Sequence, residues 1–196
     1  MELTVETLTT WMNTFETKIN AKKAYLSELD TPIGDGDHGN NMARGMRAVT
    51  EALATKKPAD LTTGLKLVAM SLISKVGGAA GPLYGTAFLE MAKKSNTTAE
   101  LSELLHAAVL GIKQRGGAAL GDKTMVDVWE VVVPEYTVGQ LSLEKITQAV
   151  AATKELVAKR GRASYLGERS VGHLDPGAVS SGYLFEALLE TEADYK

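Results

Sequence analysis

The chain has 196 residues, a formal net charge of −3, 44% hydrophobic residues and 23% charged residues. This length and composition are typical of a globular protein with one domain or two small ones. The net negative charge argues against a nucleic-acid-binding protein, and the absence of cysteine excludes disulfides, thiolate metal sites and thiol nucleophiles. With neither a secretory signal nor an apolar run of about 18 residues, the sequence favours a cytoplasmic protein that does not cross a membrane.

Eight stripes of apolar residues follow helical spacing and predict eight successive amphipathic helices. Asp60 is placed to cap the third helix, and Pro176, directly after Asp175, suits the first position of the eighth. Gly116 and Gly117 follow the fifth stripe and would end that helix. From first to last, the stripes span residues 8–26, 42–53, 61–73, 83–91, 101–112, 125–136, 143–157 and 179–188.

The segment from Met125 to Tyr136 is ambiguous, because "VDVWEVVVPEY" is rich in the β-branched residues that favour strands. Met125, Val128, Trp129 and Val132 nevertheless keep helical spacing. We predict a helix here because the rest of the sequence offers no partner strand.

Short connections without a low-complexity linker predict a single all-α domain over residues 1–196, in which neighbouring helices are antiparallel. Four connections carry more glycine than helix connections ordinarily need, at residues 34–39, 77–85, 116–121 and 161–177. Either these loops are tight, or their backbone approaches a ligand closely.

The first of these connections lies beside a group of carboxylates. Asp30, Asp35 and Asp37 are hard oxygen ligands that suit magnesium or calcium. An EF-hand loop counted from Asp35 would need glycine at its sixth position and glutamate at its twelfth. The sequence has Asn40 and Met46 at those positions, which excludes an EF-hand.

The acidic stretch runs directly into the predicted helix near His38. The N-terminus of a helix presents unpaired N–H groups and the positive end of the dipole, which suit phosphate. Carboxylates alone would repel phosphate, so the combination indicates divalent cations between them, and Mg²⁺ commonly completes its coordination with phosphate oxygens. The alternative is an Asp-Gly turn in which Asp37 only caps the helix.

The other glycine-rich connections allow both functional and structural interpretations. "GGAAGPLYG" at residues 77–85 opens a helix as a phosphate loop does, but it lacks a Walker A lysine, and close helix packing is an equal alternative. In "GDKTMVD", Asp122 could be a cap and Lys123 a solvated charge. In the segment 161–177, Arg162 is the best candidate for an anionic partner, and His173 is expected to be an ordinary loop histidine.

Four motifs together resemble the nucleotide-binding (L) subunits of dihydroxyacetone kinases. They are "DTPIGDGDHGNNM", "GGAAGPLYGTAF", "GDKTMVD" and "GRASYLGERSVGHLDPGAVSSGYL", and they run in order from residue 30 to residue 184. The resemblance therefore covers nearly the whole chain. The length is similar to that of the free-standing subunit rather than the fused two-domain kinase.

This resemblance implies a barrel of about eight antiparallel helices, with the nucleotide site in loops at one end. It implies that Asp30, Asp35 and Asp37 hold two Mg²⁺ ions against the phosphates of ADP or ATP. The family often has serine where this chain has Ala80, so a backbone N–H group or water would have to replace that hydroxyl. The nucleotide-binding residues that the resemblance implies are His38, Gly39, Asn40, Asn41, Ala79, Ala80, Gly116, Gly117, Thr124, Met125, Arg162, Asp175, Pro176 and Gly177.

The activity that the resemblance implies is a phosphoryl relay. ADP would stay bound and be rephosphorylated to ATP by a phosphohistidine-carrying subunit of the phosphotransferase system. The γ-phosphoryl group would then pass to dihydroxyacetone on a separate dihydroxyacetone-binding subunit, giving dihydroxyacetone phosphate. The acceptor's activating groups would then belong to that partner, which accounts for the lack of an obvious general base in this sequence.

Two other functions remain open at the level of sequence. One is a related kinase module with another acceptor, as in fatty acid kinases, whose similar nucleotide domain is fused to further domains. The other is a nucleotide-loaded regulatory subunit that binds a transcription regulator. The residues quoted above do not separate these functions from the relay.

Overall fold

Eight α-helices account for most of residues 1–195, the part of the chain that this computed structural model describes. Within that part, β structure is limited to an isolated bridge between Glu2 and Glu100, so the all-α prediction is confirmed. In chain order the helices are α1 (Val5–Asp30), α2 (His38–Lys56), α3 (Leu61–Lys75), α4 (Ala80–Lys94), α5 (Leu101–Gly116), α6 (Val126–Thr137), α7 (Leu143–Ala152) and α8 (Pro176–Asp194).

The helix starts follow the capping signals of the sequence. The Asp60 carboxylate accepts a hydrogen bond from the Thr63 N–H at 2.8 Å and begins α3. The segment 126–137 is helical, as its spacing predicts. Gly117 adopts a left-handed conformation and ends α5, since glycine reaches positive φ without steric cost.

The seventh helix is shorter than its apolar stripe predicts. α7 ends at Ala152, and a short 3₁₀ helix, Thr153–Glu155, follows before the chain becomes extended at Leu156. The carbonyl oxygen of Thr153 accepts a hydrogen bond from the Lys123 ammonium group at 2.6 Å. Val157 therefore lies outside α7, in the long connection to α8.

The helices form a closed ring. Each helix packs against the next one along the chain, and α8 packs against α1. Because neighbours in sequence are also neighbours in space and their connections are mostly short, their directions alternate around the ring. The connections α1–α2, α3–α4, α5–α6 and α7–α8 consequently meet at one end, where all four line a common cavity.

The interior of the ring is filled by apolar and aromatic side chains from every helix. Trp11 of α1 is fully buried, and its indole N–H donates to the Leu184 carbonyl of α8 at 2.8 Å. Its ring lies 5.9 Å from that of Phe88 on α4, centroid to centroid. Trp11 thus connects the first helix, the last helix and the opposite wall. None of the helices within residues 1–195 is both long and apolar enough to span a membrane.

Replacement of Trp11 should show how much the closure of the ring depends on this side chain. We expect Trp11→Ala to lower the free energy of unfolding by roughly 3–5 kcal/mol, because it leaves a large cavity and removes a buried hydrogen bond. Urea denaturation followed by far-UV circular dichroism measures the change. Met70→Ala is the control, since Met70 is 56% exposed and should change stability by less than about 0.5 kcal/mol. Equal effects of the two substitutions would contradict the role of Trp11.

Candidate metal and nucleotide site

A cavity of about 380 Å³ opens at the end of the ring where the four connections meet. The α1–α2 connection contributes acidic residues to its wall, and the α3–α4 connection contributes glycine and alanine. The α5–α6 connection adds polar backbone, and the α7–α8 connection adds Arg160 and Arg162. Arg115 in the last turn of α5 and the start of α8 complete the wall. A pocket with this mixture of apolar surface and a few convergent polar groups is the usual form of a small-molecule site.

Three carboxylates converge at the α1–α2 side of the cavity. Asp30, Asp35 and Asp37 each offer one oxygen atom, and these three atoms lie within 4.8 Å of one another. Oxygen ligands this close together can coordinate one hard divalent cation or flank two. The arrangement of these side chains therefore fits Mg²⁺.

Backbone hydrogen bonds hold this cluster at the end of α1. The Asp30 Oδ2 atom accepts from the backbone N–H of Asp37 at 3.0 Å and from that of His38 at 3.2 Å. A side chain at position 34 would lie 2.0 Å from Asp30 Oδ1, so glycine here lets the connection fold over the Asp30 carboxylate without displacing it. Asp30 thus joins the end of α1 to the start of α2.

The alternative interpretation of Asp37 as a simple helix cap is not what the structure shows. Asp37 occupies the position before α2, but its carboxylate makes no capping hydrogen bond within the described chain. Asp30 instead accepts from the N–H of Asp37 and from that of His38, the first residue of α2. The Asp37 carboxylate is exposed beside Asp30 and Asp35, where a ligand can reach it.

His38 and Asn41 carry the acidic loop into α2, and both line the cavity. The His38 Nε2 atom lies 3.0 Å from the Ser180 hydroxyl oxygen of α8. Burial lowers the pKa of His38 to about 4, against the opposing charges of Asp30 and Asp37, so the ring is neutral at neutral pH. The Asn41 side-chain oxygen accepts from Arg44 at 2.6 Å.

The sequence left open whether the glycines at residues 77–85 approach a ligand or allow close helix packing, and the structure shows glycines of both kinds. Gly78 has a φ of +66°, lines the cavity and has open space where a side chain would project. Gly81 and Gly85 instead allow close packing, because side chains there would overlap Val76 and Ile73. Ala79 precedes α4 and provides no side-chain cap within the described structure. The first N–H groups of α4 therefore point to the cavity end without a side-chain partner.

The α5–α6 connection is shaped by Asp127. Its carboxylate accepts from the backbone N–H of Gly121 at 2.5 Å and of Thr124 at 2.7 Å. The Thr124 hydroxyl oxygen in turn accepts from the Val126 N–H at 3.1 Å, which leaves its own hydrogen available for a ligand. Met125 is buried at the cavity wall.

Lys123 is not the solvated charge that the sequence suggested as one alternative. It is 1% exposed, adopts a left-handed backbone conformation and lines the cavity. Its ammonium group donates to the carbonyl oxygens of Thr153 and His173, at 2.6 and 2.5 Å. Burial lowers its pKa, while the nearby Asp175 carboxylate opposes that shift. Lys123 therefore ties the α7–α8 connection to the α5–α6 connection.

The α7–α8 connection reaches across the mouth of the cavity. Arg162 Nη2 lies 3.1 Å from Asp35 Oδ2, which brings this connection against the acidic loop. At its end, the Asp175 carboxylate caps α8 by accepting from the Ala178 N–H at 2.7 Å. Burial raises the pKa of Asp175 to about 7, with further contributions from the charges of Asp127 and Asp30.

The structure brings most of the predicted nucleotide-binding residues to one cavity. Three of them do not lie on its wall. A side chain at Gly39 would overlap the Lys23 carbonyl, so that glycine serves the close packing of α2 on α1. Asn40 is exposed, and Gly117 forms the end of α5. The predicted residues on the wall, with the three carboxylates, are His38, Asn41, Ala79, Ala80, Gly116, Thr124, Met125, Arg162, Asp175, Pro176 and Gly177.

Several residues at the cavity were not predicted from the sequence as site residues. Leu83, Ile112 and Ala118 give it an apolar side, and Lys123 and Arg160 add positive charge. Leu83 and Ile112 belong to the apolar stripes of their helices, so periodicity alone assigns them to the core. Arg160 pairs with Asp122, Nε to Oδ2 at 3.2 Å, a contact between distant connections that spacing cannot show.

Residues 32–190 match the DAK2 domain family. The chain belongs to this family. It is 51% identical to the ADP-binding subunit DhaL of the PTS-dependent dihydroxyacetone kinase of Lactococcus lactis, over 97% of this chain and 100% of that protein. It is also 38% identical to the DhaL subunit of the PEP-dependent dihydroxyacetone kinase of Escherichia coli, over 96% of this chain and 97% of the relative.

The DAK2 fold also appears in a longer enzyme. The crystal structure of the dihydroxyacetone kinase of C. freundii superimposes with a TM-score of 0.76 and 25% identity, over 94% of this chain and 34% of that one. This chain therefore spans about a third of the C. freundii kinase and essentially the full length of the two DhaL subunits.

Substitution of Asp30 should separate its structural role from its charge. We expect Asp30→Ala, measured without metal, to lower the free energy of unfolding by about 1–2 kcal/mol, because two backbone N–H groups lose their acceptor. Asp30→Asn keeps an oxygen acceptor and should lose less than half as much. Both variants should weaken Mg²⁺ binding in a calorimetric titration, because both remove a negative charge. If Asp30→Asn is as unstable as Asp30→Ala, the acceptor role assigned to Asp30 is wrong.

Proposed function

We propose that this chain is the ADP-binding subunit of a phosphotransferase-system-dependent dihydroxyacetone kinase and holds ADP with Mg²⁺ in the cavity at the end of the ring. The main support is the meeting of three carboxylates with the N-terminal ends of α2 and α4 in one cavity. Carboxylates and helix N-termini have opposite preferences for charge, and a magnesium–phosphate ligand satisfies both. The full-length match to free-standing DhaL subunits supports the same function.

The cavity suggests how the nucleotide would lie. Its phosphates would face the acidic cluster and the starts of α2 and α4, near His38, Asn41 and Ala80. At Ala80 the uncapped backbone N–H groups of α4 would take the place of a side-chain hydroxyl. The apolar side at Leu83 and Ile112 suits the base.

The remaining predicted contacts close the other walls. Gly116, Thr124 and Met125 would border the base and ribose, and Pro176 and Gly177 would follow the nucleotide beside Asp175. The backbones of Gly39, Asn40 and Gly117 adjoin these walls and remain part of the proposed contact set. Arg162 would neutralise phosphate charge at the mouth, where it already contacts Asp35.

Asp30, Asp35 and Asp37 would hold two Mg²⁺ ions. When bound, these ions supply charge neutralisation to the phosphate oxygens during transfer. The chain itself fixes the carboxylates. Two backbone hydrogen bonds hold Asp30, and Gly34 lets the α1–α2 connection fold over it. Phosphoryl transfer depends chiefly on such positioning and on electrostatic stabilisation.

The proposed reaction consists of two in-line transfers. First, a phosphohistidine-carrying partner transfers its phosphoryl group to ADP: the N–P bond of the partner breaks and an O–P bond to the β-phosphate forms. Second, the hydroxyl oxygen of dihydroxyacetone, held by a separate subunit, attacks the terminal phosphorus and regenerates ADP. The hydroxyl proton passes to a base of the dihydroxyacetone-binding subunit. The Arg162 side chain is 70% exposed, and the mouth of the cavity beside it leaves room for each partner in turn.

Reconstitution tests this function. The purified chain is combined with the dihydroxyacetone-binding and phosphohistidine-carrying subunits from the same organism, phosphoenolpyruvate and the general phosphotransferase proteins. We expect dihydroxyacetone phosphate to form and the rate to fall at least about 100-fold in Asp35→Ala and Asp37→Ala, as for the loss of a group that stabilises transition-state charge. Replacing phosphoenolpyruvate by ATP alone should give little product.

Asp60→Ala is the matched control. Asp60 is also an exposed aspartate next to a helix N-terminus, but it caps α3 at the opposite end of the ring. It should keep the rate of the unmodified protein. A rate that survives loss of Asp35 and Asp37, or full activity with ATP alone, would count against the relay. A chain that binds a transcription regulator and supports no product formation would instead have the regulatory role.

A further inference from the structure

A chain of buried polar side chains leads from the cavity into the core of the ring. The His38 Nε2 atom lies 3.0 Å from the Ser180 hydroxyl, and the Tyr84 hydroxyl lies 2.8 Å from Ser180 and 2.9 Å from Ser181. The Trp129 indole N–H donates to the Ser181 hydroxyl oxygen at 3.0 Å. Except for His38, every member is fully buried. Helices α2, α4, α6 and α8 each contribute at least one residue.

The Trp129 end gives this chain a direction. An indole N–H can only donate, so the Ser181 oxygen is an acceptor there. The Ser181 hydroxyl hydrogen then has the Tyr84 oxygen as its partner, and the Tyr84 hydroxyl hydrogen has Ser180. Burial raises the pKa of Tyr84 and keeps its hydroxyl protonated as a donor. This assignment pairs every buried hydroxyl hydrogen, and in it each hydrogen bond points from the core toward the cavity.

The last hydrogen in the chain belongs to Ser180. Two acceptors lie within reach of it: the His38 Nε2 atom at 3.0 Å and the Gly177 carbonyl at 3.1 Å. The Gly177 carbonyl is in the first turn of α8, where the helical N–H of Ser181 already bonds to it. An unprotonated imidazole nitrogen is the stronger of the two acceptors, because it is more basic than a peptide carbonyl oxygen.

The other ring nitrogen of His38 is Nδ1. Within the described residues, Nδ1 makes no hydrogen bond to the chain, and the single buried polar side-chain atom without a partner is Ser27 Oγ. Nδ1 is therefore accessible, and His38 lines the cavity. If Nε2 accepts from Ser180, the ring proton is on Nδ1, since a neutral imidazole carries one N–H.

We propose that Ser180 and Tyr84 are positioning residues: they hold His38 as the Nδ1–H tautomer and so present a neutral N–H donor to an anionic oxygen in the cavity. Beside the acidic cluster, a donor of fixed orientation can bind a phosphate oxygen without needing to reorient first. With the opposite tautomer, Nδ1 would be a lone pair facing phosphate, which is repulsive. Under the proposed function, that oxygen belongs to the ADP phosphates, and this part of the inference rests on that function.

The tautomer of His38 can be measured directly. Long-range ¹H–¹⁵N correlation spectra of protein labelled at histidine distinguish Nδ1–H from Nε2–H, and with three histidines in the chain, substitution of His106 and His173 in turn assigns the signals. We expect His38 of the unmodified protein to be the Nδ1–H form at neutral pH. Ser180→Ala and Tyr84→Phe should give a mixture of both forms. In Tyr84→Phe the mixture arises because the Ser180 oxygen loses the hydrogen bond that it accepts from Tyr84, so accepting from Nε2–H becomes more favourable while Ser180 donates to the Gly177 carbonyl.

Thr191→Ala is the matched control, because it removes another fully buried hydroxyl of α8, one that donates to the Ala187 carbonyl and takes no part in this series of hydrogen bonds. The tautomer of His38 should not change in this variant. Calorimetric titration with ADP and Mg²⁺, after bound nucleotide is removed by chelation, should show affinity about tenfold weaker in Ser180→Ala and Tyr84→Phe. In Thr191→Ala the affinity should stay within about twofold of the unmodified protein.

Three results would overturn the inference: an Nε2–H form in the unmodified protein, an unchanged tautomer in both Ser180→Ala and Tyr84→Phe, or a Thr191→Ala variant with the same tautomer change and loss of affinity as Ser180→Ala. The spectra require no nucleotide, so they decide how His38 is held independently of the proposed function. Absence of ADP binding by the unmodified protein would count against the proposed function alone.

Discussion

The site depends on one geometric constraint, the alternation of helix direction around a closed ring. Because α8 packs against α1 and each helix packs against its neighbour, every second connection reaches the same end. Four stretches that are far apart in the sequence thereby form one cavity. The buried Trp11, bonded to the Leu184 carbonyl, contributes to closing the ring. The rigid helices can then hold functional groups that lie on connections, as is common for binding sites.

Charge balance is the second principle of the site. Three carboxylates lie together at the end of α1, yet the start of α2 and the uncapped start of α4 meet at the same place. An anion alone would be repelled by the aspartates, and a cation alone would be repelled by the helix dipoles. A cation bound to an anion satisfies both. The buried Lys123 adds a positive charge behind the wall and ties two connections together.

Local features of the fold and the site were predictable from the sequence. The helix periodicity, the Asp60 and Asp175 caps and the convergence of Asp30, Asp35 and Asp37 depend on residues close together in the chain. The early end of α7 was not predictable, because it coincides with a hydrogen bond to Thr153 from Lys123, 30 residues away. The series of hydrogen bonds from Trp129 to His38 was not predictable for the same reason: it joins four helices through residues that periodicity assigns only to the core.

In the proposed site the carboxylates hold the nucleotide through a divalent cation, and native mass spectrometry before and after chelation tests this most directly. Protein purified with Mg²⁺ should carry one ADP per chain together with metal. Chelation with EDTA should release the ADP and lower the thermal midpoint, because a ligand that binds only the folded state stabilises it. ADP that stays bound after all metal has been removed, or protein that takes up no ADP from a solution saturated with ADP and Mg²⁺, would contradict the claim.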